Sequence, residues 1–408
     1  MARPEEIRRL TEEGCTVLCL DCPEGILFGI DYSAWTVGPR FMGVKLVPPG
    51  LHYVYCSPSG EDVGAFRTGF FLNMKQREVA VFRWDPVAEE LTPLPDADEE
   101  ARYADGARAF DFDGQLGPYP LELSAQWEEL TRYANERLVR KIEPVARAVR
   151  SKRAEYDKTG TKGAENDAEE EAEAMPSFDE LDDGSAAKKQ QERPSGTEQL
   201  DQPANPQAPL ESNAGGHLFF SAVPRTRKRK GASAAETTQL HMDRTGQLDE
   251  MIAREYGGDA LGILGELQLA YIAFILGQNC DGFDQWRALL QLLCSCDTGV
   301  RARPDLFAEL LRAFFAQLSQ APNDLFEDDL TSGSFLGSCA VSLLDLCEDE
   351  ASPAKLRKRC GKLRELVREK FGLGTEDLAL IGEDAPVVVD ADGRDLVDLA
   401  GPGLVDMD

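Results

Sequence analysis

The 408-residue sequence predicts an α+β, multi-domain chain: an N-terminal antiparallel β-sandwich-like domain followed by a C-terminal all-α helical bundle. Three observations predict it. Between Thr16 and Asp85, short β-rich runs alternate with Gly and Pro turn signals about every ten residues, the texture of an antiparallel sandwich or barrel. From Thr245 to Lys370, apolar residues recur at helical spacing. Between them, Ser151 to Gly215 is so rich in Glu, Asp, Lys, Gln, Pro and Ser that burial cannot offset its chain entropy, which predicts disorder.

Taken in order, Glu5–Glu13 reads as a short helix ended by Gly14. The strand runs are TVLCLD, ILFGID, GVKLV, LHYVY, TGFFLNM and EVAVFRW. In the last, both alternating faces are apolar, which predicts a central strand covered on both sides. Pro23, Gly25, Gly38-Pro39, Pro48-Pro49-Gly50 and Pro58 mark the turns. Trp35 and Phe41 are expected in the sandwich core, and Asp31 is expected to satisfy backbone donors in the turn that follows it. Helical stretches follow at Asp96–Phe110 and Leu121–Val149.

Beyond the acidic segment, LFFSAVPR (218–225) looks like a strand that returns to the first domain. Leu261–Gly277 is apolar nearly all round, as a central helix should be. Core stripes are Phe283, Trp286, Leu290 and Leu293; Leu306, Leu310 and Phe314, with Phe307, Leu311, Phe315 and Leu318 beside them; and Leu356, Cys360, Leu363 and Val367. Connectors at Asp281-Gly282 and Pro304 imply antiparallel neighbours. The expected organisation is a β-rich domain at 1–120, a connecting helix at 121–150, a disordered acidic linker at 151–215, a strand plus basic loop at 216–231, a helical domain at 232–372, and an extended acidic tail at 373–408 with a β-type segment at 385–389.

The net charge of −29 sets 44 Lys+Arg against 73 Asp+Glu. Such a chain is repelled by phosphate backbones and attracted to basic protein surfaces, so no direct nucleic-acid partner is expected. MARPEEIRRLTEEG has no apolar core of a signal peptide, and the run from Leu261 is too short and too interrupted for a membrane span. No membrane partner is expected, and the ten cysteines are expected to be reduced thiols.

Chemistry-bearing patterns are sparse. Cys15, Cys19 and Cys22 lack the His or second Cys pair of a zinc set and fit a buried strand. No phosphate loop or Gly-x-Ser-x-Gly elbow is present. His52, His217 and His241 lie in separate segments, and a dyad of His52 with one of Cys15, Cys19, Cys22 or Cys56 has no activating motif. No catalytic residue, cofactor or metal ligand is therefore assigned. Ser177, in Ser-Phe-Asp-Glu, suits an acid-directed kinase. The run RTRKRK, with Arg225, Arg227, Lys228, Arg229 and Lys230, suits a nuclear-import signal or an acid-pairing loop. Pro386, Val387, Val388 and Val389 want a strand partner, inside the chain or in another protein.

Gly29-Ile30-Asp31-Tyr32, Trp35, Val37-Gly38-Pro39, Phe41, Gly43-Val44-Lys45 and Pro48-Pro49-Gly50-Leu51-His52 occur in the order and spacing of the Aar-two family motif. The chain resembles that family further at Gly69-Phe70-Phe71-Leu72, Arg83-Trp84, Leu116-Gly117-Pro118-Tyr119-Pro120 with Trp127, Leu264–Gln268 through Phe274, Trp286 with Leu289-Leu290, and Ala385–Val389. The resemblance implies a VHS-like helical bundle and a non-enzymatic U5 snRNP assembly factor, cytoplasmic and nuclear. Such a factor binds the C-terminal RNase H-like and MPN-type domains of pre-mRNA-processing-splicing factor 8 and keeps the helicase and RNA away until maturation. The residues alone also admit a general acidic adaptor, or a thiol- or metal-dependent enzyme in the β domain.

Overall fold

A computed structural model describes residues 4–58, 67–143, 149–150, 218–225, 242–322, 333–347 and 353–371. Among them, β1 (Cys15–Leu20), β4 (Gly43–Val47), β7 (Val79–Asp85), β8 (Glu90–Pro93) and β9 (Leu116–Pro118) form one sheet in the order β8-β7-β1-β4-β9. A second sheet runs β10-β6-β5-β2-β3, from β2 (Leu27–Ile30), β3 (Ser33–Thr36), β5 (Gly50–Ser57), β6 (Thr68–Met74) and β10 (Val149–Arg150). The helices are α1 (Pro4–Glu13), α2 (Ala97–Arg108), α3 (Ser124–Leu130), α4 (Glu136–Ile142), α5 (Thr245–Tyr256), α6 (Gly262–Ile275), α7 (Cys280–Leu293), α8 (Asp297–Ala302), α9 (Pro304–Gln320), α10 (Gly333–Cys347) and α11 (Ala354–Phe371).

The architecture is thus β-rich then helical. The second sheet is antiparallel throughout, as expected, whereas the first is mixed. In it β1 lies parallel to β7, from Thr16 opposite Val79 to Leu20 opposite Arg83, and β4 lies parallel to β9. A parallel pair needs a long crossover. Most of the second sheet supplies one of them, and α2 lies within the other.

Strand alternation decides what each face meets. Ala80, Phe82 and Trp84 of β7 point between the sheets with Phe28, Val54 and Phe70, while Val81 points the other way, under Ala104 and Ala107 of α2. The strand is therefore central and covered on both sides, as its sequence predicts. In β5, Val54 and Cys56 face the first sheet, but Tyr53 and Tyr55 join Phe71, Trp127 and Leu130 in the core of the helical half. The β and helical halves share that core. Gly29, opposite Tyr55 on β2, has the Tyr55 ring laid across it, and a Cβ there would sit 2.2 Å from the ring.

Several expectations are corrected. Trp35 lies on the edge strand β3 and stays 36% exposed, although its cross-strand neighbour Phe28 is wholly buried. Phe41, by contrast, does pack on the sandwich core as expected, partly buried against Phe28 with ring centroids 5.0 Å apart. Phe315 is 37% exposed while Leu311, Phe314 and Leu318 around it are buried. Within Leu121–Val149 the described residues hold two short helices, α3 and α4, with Val149 in β10; the Asn135 side chain caps α4 by accepting from Leu138 N at 3.0 Å. Asp281 and Gly282 lie inside α7, whose cap is Asn279. The segment 218–225 is irregular rather than a strand.

Candidate functional site

Asp31 follows β2 in the turn, with φ at +54°, and is only 2% exposed. Its Oδ1 accepts from the backbone N–H of Tyr53 in β5 at 2.8 Å. Its Oδ2 accepts from the Tyr119 hydroxyl at 2.6 Å and from His52 Nδ1 at 2.7 Å. The other ring nitrogen, Nε2, lies 2.7 Å from the Pro48 carbonyl oxygen. Both neighbours of the ring are acceptors, so both ring nitrogens carry protons and His52 is an imidazolium paired with Asp31. Burial alone would lower the His52 pKa. The charge of Asp31, its hydrogen bond and the Pro48 carbonyl outweigh that and hold it above the ordinary histidine value.

This clasp joins the β2–β3 turn, the Pro48-Pro49-Gly50 turn and the junction after β9. Asp31 does satisfy a backbone donor, but on β5 rather than in the turn that follows it. The junction is fixed again where Trp127 Nε1 donates to Leu51 O at 2.6 Å and Trp127 meets Tyr32 edge-on, with centroids 5.8 Å apart. Gly43, at φ +130° where a Cβ would run into Val17 O, lets β4 close on β1.

A second buried carboxylate organises the helical half. Glu266, fully buried on α6, accepts from Ser221 N at 2.7 Å, Ser221 Oγ at 2.7 Å, Tyr256 OH at 2.9 Å and Gln285 Nε2 at 2.8 Å. Two residues further along α6, Gln268 accepts from Tyr133 N at 2.8 Å and donates to Glu129 O at 3.1 Å, holding the break between α3 and α4. The chain on either side of the long acidic segment meets here. Phe219 N donates to Ile142 O at 2.8 Å, and Lys141 Nζ donates to Ser221 Oγ at 2.6 Å.

The clasp has the members of an acid–base pair but not their exposure. His52 is 2% exposed, and its outward nitrogen is spent on a backbone carbonyl. Among the described residues no thiol hydrogen-bonds its ring: Cys15 Sγ donates to Lys75 O at 3.0 Å, and burial pushes the Cys15 thiol up to about 11. Burial also raises Cys56, whereas a hydrogen bond from Cys19 lowers Cys22. Among the described residues, no group of three or more His, Cys, Asp or Glu stands together as a metal-ligand set. What the two carboxylates do is position turns and chain ends.

Residues 13–144 match the AAR2 N-terminal domain, and residues 220–376 match the AAR2 C-terminal repeat region. The chain is 33% identical over 394 residues to the Protein AAR2 homolog of Mus musculus and to that of Homo sapiens, covering 95% of this chain and 96% of each relative. It is 30% identical over 373 residues to the Caenorhabditis elegans Protein AAR2 homolog, covering 90% of this chain and 96% of the relative. This chain belongs to the AAR2 family.

Within the AAR2 boundaries, the Asp31 clasp lies wholly in the N-terminal match and Glu266 in the C-terminal one, with the whole acidic segment, 151–215, between them. Asp31 and Pro48 of the sequence motif are drawn into one network. Tyr32 packs beside it, whereas Trp35, Gly38 and Pro39 stay at the surface. Pro49 and Gly50 complete the turn into β5. Ser177, Arg227, Lys228, Arg229, Lys230, Pro386, Val387, Val388 and Val389 lie outside the described residues, and Arg225 is exposed. In the sequence, Glu266 and Gln268 interrupt the apolar run from Leu261. A charged residue inside such a run is the signal that a buried partner set must exist.

Proposed function

We propose that this chain is a non-enzymatic assembly factor for the spliceosomal U5 snRNP, acting in the cytoplasm and the nucleus. The observation that carries the reading is the collinear match to the AAR2 family over 95% of the chain, which supports a splicing-related role. The proposed partner is pre-mRNA-processing-splicing factor 8, bound through its C-terminal RNase H-like and MPN-type domains, with premature helicase and RNA association blocked meanwhile. The net charge of −29 favours a basic scaffold surface over nucleic acid itself. The clasp supports a non-catalytic reading, since each polar atom of Asp31 and His52 is committed to an internal partner. Pro386–Val389 suits strand addition to a partner sheet, Ser177 a phosphorylation site, and Arg225–Lys230 an import signal.

The test is co-purification of the tagged full-length chain from fractionated cells. The scaffold protein and a U5 precursor are expected together in the cytoplasmic fraction, without the helicase. A reproducible preparation that lacks the scaffold overturns the proposal.

A further inference from the structure

A groove of about 570 Å³ runs between α3, α9 and α11. Its floor is apolar, with Leu311, Phe315 and Ala316 of α9 facing Ala125 of α3. Its rim carries the Glu129–Arg312 ion pair on one side and Arg359 and Lys362 of α11 on the other, three cations against one carboxylate. Arg359 is held by Glu309 at 3.0 Å. Lys362 and Lys358, a turn apart, are exposed and have no acidic partner among the described residues. In a chain of net −29, α11 carries eight Lys or Arg against two Glu, so it is a cationic strip beside an uncovered aromatic ring.

We propose that this groove is the docking site of the chain's own C-terminal tail, through Leu373–Asp384. The chemistry is complementary: Leu378, Leu380 and Ile381 suit the floor, and Glu376, Asp377, Glu383 and Asp384 suit the rim, with no cation in the segment. The place is also right. Lys370 Nζ donates to the carbonyls of Leu318, Ser319 and Ala321 at 2.9, 2.7 and 2.6 Å, pinning the end of α11 to the end of α9. Ser319 and Gln320 line the groove, so the chain leaves α11 beside its mouth. From Gln320 back to Leu311 is about 14 Å of helix, which an extended chain covers in about five residues. A tether this short gives an effective concentration in the millimolar range, so a weak contact suffices and a competing acidic peptide must outbid it. The inference is independent of the partner proposed above.

The test uses the full-length chain with Phe315→p-benzoylphenylalanine. Irradiation and digestion are expected to give a cross-link to residues 373–384 of the same molecule. Hydrogen exchange on the unmodified chain is expected to show amides 376–384 protected about tenfold relative to 399–408, and K362E is expected to reduce that protection about threefold. Lys362 is exposed, so an unchanged melting temperature of K362E separates lost docking from unfolding. Cross-links only to residues 151–215 or to a second copy, no cross-link at all, or tail amides that exchange equally fast in both chains overturn the proposal.

Discussion

Asp31 and Glu266 are both buried carboxylates, one 2% and the other 0% exposed, yet they are satisfied by different means. Asp31 has a cationic neighbour, His52, and two further donors. Glu266 has four neutral donors, drawn from α5, α7 and the segment that re-enters after the acidic stretch. The first clasp fastens turns of the two sheets to one another; the second fastens the chain across an insertion. A carboxylate out of water needs either a counter-ion or enough aimed donors, and this molecule uses one solution in each half.

The sharpest test of that comparison is Asp31→Ala. It leaves the His52 cation unpaired and strands Tyr53 N and Tyr119 OH, so urea denaturation is expected to show a loss of about 4 kcal/mol. A loss under about 1 kcal/mol would mean His52 is not charged there. Glu266→Ala is expected to cost about 3 kcal/mol, since neutral donors lose a partner but no opposite charge is abandoned. Limited proteolysis should then cut near Ser221, which no longer has its anchor. Gly29→Ala, pressing a methyl on the Tyr55 ring, is expected to cost about 2 kcal/mol by the same measurement.

The pH response should separate the clasps further. His52 is held above the ordinary value of 6.5, so its contribution is fully present below that pH and is lost as pH rises through the folded-state value. Denaturation midpoints of the wild type are expected to fall over that window, and Asp31→Ala should lack the fall. An identical pH profile in both proteins would sink the ion-pair assignment. The smallest effect is expected for Trp35→Ala, below about 0.5 kcal/mol, because the ring sits at the rim of an edge strand.

Local pattern made much of this fold legible. The runs for β1, β2 and β4 to β7 carry β-rich apolar texture between Gly and Pro turns, and α6, α9 and α11 carry helical stripes. The short strands β3, β8 and β9 carry too few residues to show a pattern. The break between α3 and α4 was hidden because Leu123, Trp127, Leu130 and Ala134 keep helical spacing through it. The backbone N–H freed at Tyr133 is satisfied by Gln268, a residue 135 positions away. LFFSAVPR has strand composition, but its backbone is claimed by Ile142 and Glu266 instead of a sheet.

The sequence by itself determined the order of elements, the turns, the charge and the family, because these depend on residues adjacent in the chain or on their spacing. It also placed Asp31, Pro48, His52 and Tyr119 inside matching motifs without saying why. Only the tertiary structure decided that these four meet, that Glu266 closes the chain across the acidic segment, and that Trp35 and Phe315 are left outside. A buried polar group takes whichever partner the packed fold brings within about 3 Å, and that partner's distance along the chain is unconstrained.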